Sequence, residues 1–508
     1  MKCLLKFVGP GLFISIGYID PGNWATDIEG GSRFGYKLLW VLALSNVIAV
    51  LLQTLSTRLG VVGRVDLAQA CRVSLHWIPC TLLWILCEIA IAATDLAEVL
   101  GTAIGLNLLF GIPVILGVIV TAVDTLLFLL LAGRNMRVLE VVMFGLLGII
   151  ALCFVVELIL VKPDVIEVVK GMIPLPLSTP ELYVALGMLG ATIMPHNLYL
   201  HSALVQSRSH SRTPRALSTA LYYYLIDCSL SLNISFLLNA AILIVAAASF
   251  HVHGLEVTRL QKASELLKDL HFGILAPYAF GLGLLCAGQS STFTGTMAGQ
   301  VVMEGFMQLK IPGWVRRLVT RTAAIVPAVI VVGLYGDEGS YQLLILSQVI
   351  LSLQLPFAIV PLVRLTSCSD IMGTFTSHWV LRMVAWLISA LIILLNFWLV
   401  LSISLEIWNL GIVYLQIALV VLAVPIFLFI VVFMFYLIFV SLRIDRQRLG
   451  VEKKAYTSVP GNEIPDRDME VITTGPESES DWEVLPHENV ANGNGEDGQD
   501  RETGTETD

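Results

Sequence analysis

Long apolar runs separated by short polar stretches recur along most of the chain. Each run holds about 20 residues, the length that an α-helix needs to cross the hydrocarbon core of a bilayer. In lipid the backbone polar groups of such runs are satisfied only within a helix. The pattern predicts an all-α membrane protein with about twelve transmembrane helices, near residues 5–28, 37–58, 78–104, 112–133, 138–161, 182–206, 221–250, 273–308, 322–336, 341–365, 378–402 and 411–441.

Composition agrees with this pattern and separates a tail from the apolar body. Of 508 residues, 56% are hydrophobic and 14% are charged, whereas a soluble domain has about a quarter charged residues. Residues 455–508 hold fifteen acidic side chains and two arginines, so the acidity of the chain belongs to its end. We predict a transmembrane domain at 1–450 and a disordered tail at 451–508, open to cytosolic partners. Nothing in the charge pattern indicates nucleic-acid binding.

Basic residues predict the orientation of the chain. They precede the first span and follow the even-numbered spans, as at Arg64, Arg134, Arg208 and the group Arg316, Arg317 and Arg321. By the positive-inside rule both termini are cytoplasmic, in the plasma membrane or an internal membrane.

The first span is interrupted by the sequence Asp-Pro-Gly-Asn at 20–23. Proline lacks the N–H that a helix interior needs. Asp20 is an ionisable group inside an apolar run, which is costly and usually functional. Two interpretations remain: a broken helix at mid-membrane, or a helix that ends at Pro21 with Asp20 at the interface.

The sixth span carries the matching feature, because Pro195 leaves the carbonyl of Ala191 without its helical partner. Met194 precedes this proline and His196 follows it. Each break lies in the first span of a five-span block, about 5–161 and 182–365, with two extra helices to about 441. Interrupted helices at corresponding positions of inverted repeats indicate the midplane site of a secondary transporter.

The side chains at the two breaks are chemically suited to a divalent metal ion. Asp20 offers an anionic oxygen, Asn23 an amide oxygen, Ala191 a backbone carbonyl and Met194 a thioether. Oxygens alone would suit Mg²⁺ or Ca²⁺, and a sulfur shifts the preference toward Mn²⁺ and Fe²⁺. The metal is then a transported substrate, and no resident cofactor is expected.

Three carboxylates of the third span, Glu88, Asp95 and Glu98, are spaced by seven and three residues and so share one helical face. They must face the bundle or a wet cavity, because lipid would not accept them. They form either a structural ion-pair network with arginines of the ninth span or a route for protons.

Taken together, these motifs resemble the NRAMP family of proton-coupled divalent-metal transporters, over roughly residues 5–440. The resemblance rests on the sequences at 20–23, 94–98, 194–196, 288–296 and 347–356. It is closest to the bacterial manganese-transporting branch, and it implies the leucine-transporter fold with a 5+5 inverted repeat. It also implies Gln348 as a further metal ligand, and places in proton movement His196, Glu88, Asp95, Glu98, Arg316 and Arg317.

Three other functions compete with transport of metal ions. A zinc hydrolase is disfavoured, because His196 and His201 are five residues apart and lack the His-Glu-x-x-His spacing. A metal-sensing signalling protein of the same fold would need a large cytosolic domain, and the tail is short. A transporter of organic cations or amino acids would make little use of Met194 beside Asp20.

Overall fold

The structure, a computed structural model, describes residue 7 and residues 9–122, 136–208, 213–257, 259–268, 275–309, 312–409, 416–417, 420–421, 424–442 and 444. The predicted tail lies outside the described residues. No strand occurs in these ranges, as expected of an all-α protein. The helices are α1 Pro10–Gly17, α2 Pro21–Phe34, α3 Leu39–Arg58, α4 Leu67–Ser74, α5 Trp77–Phe110, α6 Met136–Val161, α7 Val165–Gly171, α8 Thr179–Thr192, α9 Pro195–Leu204, α10 Pro214–Ser249, α11 Leu260–Leu267, α12 Leu275–Met307, α13 Gly313–Thr366, α14 Ser369–Met372, α15 Trp379–Asn409 and α16 Val424–Phe439.

Helical residues lie at every predicted span, although only 112–122 of the fourth span are described, of which 114–122 are helical. Within the described residues, six helical stretches are long and apolar enough to cross a bilayer. The twelve predicted spans do not conflict with these six stretches. One long stretch can hold two spans, and the separate halves of a broken helix are too short to count as a stretch. The stretch Val315–Thr366 holds the ninth and tenth spans, Pro21–Gly63 joins α2 to α3, and the halves α1, α8 and α9 are individually short.

Gly336 separates the ninth and tenth spans within α13. Its φ of 64° and ψ of −148° are not helical, and a positive φ is a conformation that glycine adopts without a steric penalty. The boundary predicted near residue 336 is therefore present as a sharp bend and not as a loop.

The ninth span begins earlier than its apolar run predicts. We expected it at 322, with Arg316, Arg317 and Arg321 on the connection before it, whereas α13 begins at Gly313 and includes all three. Their side chains are buried. Carboxylates from α5 pair with these arginines, and this pairing offsets the cost of removing the charges from water. These three residues therefore carry no information on orientation.

Both predicted interruptions are present. Helix α1 ends at Gly17 and α2 begins at Pro21, while α8 ends at Thr192 and α9 begins at Pro195. The two broken helices pack in the centre of the bundle against α5, α10, α12 and α13. In contrast, α6, α15 and α16 expose many large apolar side chains, such as Val141, Leu394, Val432 and Phe439. Such faces are stable against lipid and not against water.

Candidate metal site

At the first break, side chains form hydrogen bonds with backbone groups that have no partner within a helix. Asp20 caps α2, because its Oδ1 accepts hydrogen bonds from the backbone N–H of Asn23 at 2.8 Å and from Asn23 Nδ2 at 2.7 Å. On the other side of the break, Asn239 of α10 donates its Nδ2 to the carbonyl of Tyr18 at 2.8 Å. The second oxygen of Asp20, Oδ2, is buried and accepts no hydrogen bond from the described residues. Asp20 thus presents one free anionic oxygen inside the bundle.

The second break supplies the free carbonyl that Pro195 predicts. Ala191 has no backbone N–H partner four residues later, and its oxygen instead accepts a hydrogen bond from Asn23 Nδ2 at 3.1 Å. One carboxamide therefore bridges Asp20 of the first break and Ala191 of the second. Both hydrogens of Asn23 Nδ2 are therefore directed at oxygens of the two breaks.

Met194 lies at the bend between α8 and α9 with extended backbone angles, φ −72° and ψ 122°. Its side chain is completely buried beside Ala93 of α5 and Leu351 of α13. The sulfur accepts a weak hydrogen bond from Asn197 Nδ2 at 3.4 Å. The thioether thus lies at the second break, next in space to residues from two neighbouring spans.

Gln348 of α13 lies directly against the first break. A Cβ atom on Gly22 would be 1.8 Å from Gln348 Nε2, so only glycine allows this approach. The oxygen Oε1 of Gln348 is buried and has no hydrogen-bond partner among the described residues. The backbone of Gln348 also packs closely on Gly190 of α8. Its carboxamide therefore belongs to the same small region as the two breaks.

The donors gathered at the breaks are chemically mixed. Asp20 has one free carboxylate oxygen, the amide of Asn23 links Asp20 to the carbonyl of Ala191, and the thioether of Met194 lies at the second break. In the part of the chain that the structure describes, no three His, Cys, Asp or Glu side chains are grouped as they would be in a tight metal-binding cluster. The arrangement suits a cation that is bound reversibly.

A second polar region lies between α5 and α13. Arg316 pairs with Glu88 at 2.9 Å, Arg317 with Asp95 at 2.6 Å, and Arg317 also approaches Glu98 at 3.4 Å. All of these groups are buried except Glu88, which is partly exposed. Ion pairs between the third and ninth spans, one of the two alternatives given above, are therefore present, and each carboxylate lies beside an arginine. The route for protons stays a prediction.

Sequence reasoning missed several partners of Glu98. Arg321, assigned above to a loop, lies 3.6 Å from Glu98. Ser291 and Thr292 of α12 donate hydrogen bonds to the two oxygens of Glu98 at 2.9 and 3.0 Å. The polar sequence at 288–296 contains the two hydroxyls, but it does not show that Glu98 accepts their hydrogen bonds.

His196 occupies the first turn of α9 and is fully buried. Neither ring nitrogen has a hydrogen-bond partner among the described residues. The structure therefore does not link His196 by hydrogen bonds to Asp95 or Glu98, and its predicted role in proton movement stays a prediction.

A bundle of apolar helices, with two interrupted helices and polar groups gathered at the interruptions, defines a secondary membrane transporter. The chain belongs to the Nramp family: the family model described as "Natural resistance-associated macrophage protein-like" matches residues 11–402. The family resemblance predicted from the motifs is thereby confirmed.

Curated relatives are about half identical to this chain over the residues that align. A natural resistance-associated macrophage protein 2 homolog of Dictyostelium discoideum is 52% identical over 398 residues, 78% of this chain and 63% of that protein. The divalent metal cation transporter MntH of Brucella suis is 52% identical over 396 residues, 77% of this chain and 87% of that protein.

Solved structures confirm the predicted leucine-transporter-like fold. The crystal structure of a manganese transporter from Eremococcus coleocola is similar with a TM-score of 0.77 at 35% identity, covering 90% of this chain and 96% of that one. Mhp1, a nucleobase-cation-symport-1 transporter, is similar in fold alone, with a TM-score of 0.54 at 14% identity, covering 88% of this chain and 96% of that one.

Proposed function

We propose that this protein is a secondary transporter that carries divalent transition-metal ions such as Mn²⁺ and Fe²⁺ across a membrane together with protons. The observation that carries the proposal is the convergence of the two breaks, where Asn23 bridges Asp20 and the Ala191 carbonyl. The family membership and the relatives named as divalent-metal and manganese transporters support it.

The bridging carboxamide suggests how the cation is accepted. The Nδ2 hydrogens of Asn23 currently bind Oδ1 of Asp20 and the carbonyl oxygen of Ala191, while Oδ2 of Asp20 accepts no hydrogen bond from the described residues. Rotating the carboxamide by half a turn presents its Oδ1 in place of Nδ2, so that Asp20, Asn23 and Ala191 offer three oxygens in one direction. Met194 and Gln348 complete the proposed ligand set, with water at the remaining positions. Losing the two Asn23 hydrogen bonds sets an energetic cost that keeps binding reversible.

The arginine-carboxylate network is the proposed route for protons. Among the described residues, three carboxylates face three arginines between α5 and α13, so these six groups balance one another in charge when all are ionised. Protonating one carboxylate would leave a positive charge unbalanced in a buried place, which weakens the contact between α5 and α13. In this proposal His196, which lies directly after the second break, also takes part in proton movement. We also propose that both termini face the cytosol.

The testing experiment is uptake of Mn²⁺ by the purified protein in proteoliposomes. Asp20→Ala removes the only formal charge of the proposed ligand set, and we expect uptake to fall by more than about a hundredfold, since even residues that merely support a metal ligand contribute 10–100-fold. Circular dichroism and gel filtration of the variant check that it is folded. Normal Mn²⁺ uptake by folded Asp20→Ala would remove Asp20 from the site.

The same assay separates the competing functions. A panel of amino acids and organic cations in place of Mn²⁺ tests the organic-substrate alternative. Tight Mn²⁺ binding without any uptake would favour the metal-sensing alternative.

A further inference from the structure

A groove between α3 and α10 has no part in the proposed transport site. It is a cavity of about 150 Å³ at the end of the bundle where α3 finishes and α10 begins. Its lining residues are Thr54, Thr57, Arg58, Leu221, Tyr222 and Leu225. The helix α3 therefore lines the cavity with polar side chains, and α10 lines it with two leucines and a tyrosine.

Arg58 is the charged group of this groove, and it has no anionic partner among the residues that the structure describes. Its Nη2 donates a hydrogen bond to the carbonyl of Phe375 at 2.8 Å, while its Nε is buried and unpartnered. None of the ion pairs formed within the described parts of the chain includes Arg58. A guanidinium that is partly removed from water and not neutralised favours an anion, and its fork of N–H donors matches a phosphate.

Tyr222 and Leu225 extend the groove toward the lipid. Tyr222 is 61% exposed and Leu225 is 40% exposed, and both lie on the outer side of α10. Tyrosine is enriched where a membrane protein meets the headgroup region, because its ring is apolar and its hydroxyl is polar. The groove therefore lies at the level where a lipid headgroup meets its acyl chains.

The seam between α3 and α10 continues away from Arg58 for the length of an acyl chain. The two helices run antiparallel, since Arg58 lies near Leu221 and Asn46 donates a hydrogen bond to Asn233 at 3.2 Å. Twelve residues separate Asn46 from Arg58, which is about 18 Å along a helix. Between them α3 exposes Val47, and α10 exposes Leu225 and Leu230. The seam is polar at Arg58 and apolar along its middle.

We propose that this groove binds a membrane phospholipid with an anionic headgroup, with the phosphate on Arg58 and one acyl chain along the seam between α3 and α10. Charge complementarity selects the headgroup, because Arg58 has no carboxylate partner among the described residues. The apolar seam selects a lipid over a small anion. Basic pockets between transmembrane helices are established places for such headgroups.

The test uses the purified full-length protein in detergent, titrated with phosphatidylglycerol and with phosphatidylcholine of the same acyl chains and followed by native mass spectrometry. We expect phosphatidylglycerol to be retained more strongly. Arg58→Gln should weaken its binding about fivefold, the effect of one basic residue near a membrane surface, and Arg58→Lys should keep most of the preference. Arg215→Gln is the matched control, because Arg215 is an exposed arginine near the start of α10 that does not line the cavity.

Three outcomes would overturn the proposal. Equal retention of the two lipids shows that the headgroup charge is not recognised, and an equal loss in Arg215→Gln shows a diffuse surface effect. The third uses Leu225→Trp, which fills the apolar side of the groove and should reduce lipid binding. If inorganic phosphate displaces phosphatidylglycerol and Leu225→Trp has no effect, the site takes a free anion and not a lipid. Leu225→Trp keeps the test valid if Arg58→Gln does not fold.

Discussion

At the scale of single residues, the proposed metal site depends on how closely a few groups approach one another. Asn23 contacts both breaks through one carboxamide, and Gln348 lies on Gly22 with no room for a larger residue. A carboxylate, an amide and a free carbonyl provide attraction for any divalent cation, and the thioether of Met194 provides a preference among them. Gly22→Ala tests the close approach of Gln348, and Met194→Ala tests the preference among metal ions.

Gly22→Ala should displace Gln348 and impair transport without removing any proposed ligand. The new Cβ would lie 1.8 Å from Gln348 Nε2, so the glutamine must leave its position. We expect Mn²⁺ uptake to fall about tenfold, with a raised KM, as for other small misplacements of binding groups. Gly30→Ala is the control on the same helix, because its Cβ would be in ordinary contact at 3.4 Å from Leu38 and Met188. Equal effects of the two substitutions would show that helix packing, and not Gln348, is responsible.

Met194→Ala should reduce selectivity more than it reduces transport. The oxygen ligands that attract any divalent ion remain, and water can replace the sulfur to give a shell that hard cations accept. Specificity is a difference between two affinities, so losing the ligand that disfavours Ca²⁺ admits it. We expect Cd²⁺ uptake to fall about tenfold, which is about 1.4 kcal/mol, Mn²⁺ uptake to fall less, and Ca²⁺ or Mg²⁺ to compete.

The control for this substitution is Met188→Ala, which removes another buried thioether of the same span, packed among the apolar residues between α3 and α8. Uptake of each ion is compared at matched expression. Unchanged discrimination between Mn²⁺ and Ca²⁺ in Met194→Ala would identify Met194 as a packing residue.

At the scale of helices, α5 and α13 are joined by charges in a place where most helix contacts are apolar. A buried ion pair is weak evidence of net stability, but breaking one partner leaves an uncompensated charge. The pair Asp95 and Arg317, at 2.6 Å and almost fully buried, is the strongest case. The network therefore couples the positions of two helices to the ionisation of their side chains.

A double-mutant cycle measures this coupling. Arg317→Gln should lower the free energy of unfolding by about 3–5 kcal/mol. Adding Asp95→Asn should recover part of the loss, because the unpaired carboxylate is removed. Chemical unfolding in detergent of wild type, each single variant and the double variant gives the interaction energy. Additive losses would show that the two side chains do not depend on each other.

At the scale of the whole molecule, the proposed coupling requires that a proton gradient drives the metal. Proteoliposomes with an imposed acid-outside gradient should accumulate Mn²⁺ faster than those without one, and uptake should acidify the lumen. The pH on the substrate side is held constant, so that protonation of the outer site does not change. Uptake that is indifferent to the gradient under this condition would refute proton coupling and leave metal transport itself intact.

The sequence by itself determined the class of fold and the positions of both breaks. Apolar runs of spanning length require helices in lipid, and a proline inside such a run removes a backbone hydrogen bond wherever it stands. The sequence alone therefore predicts the breaks at Pro21 and Pro195. It also predicts that the carbonyl of Ala191 lacks a helical partner and that Asp20 is an ionisable residue inside an apolar run. These features are local, since each depends on residues within one turn of helix.

The tertiary structure decided which distant groups meet. The sequence predicted a loop at Arg316, Arg317 and Arg321, because arginines usually lie at the end of a span. In the structure, carboxylates of α5 pair with these arginines, and this pairing explains why α13 begins before them. In the same way, Asn23 could be expected near a cation, but its bridge from Asp20 to Ala191 depends on two segments 168 residues apart. Hydropathy reports the cost of burying one residue. Whether a partner offsets that cost depends on the packing of helices that the linear pattern does not contain.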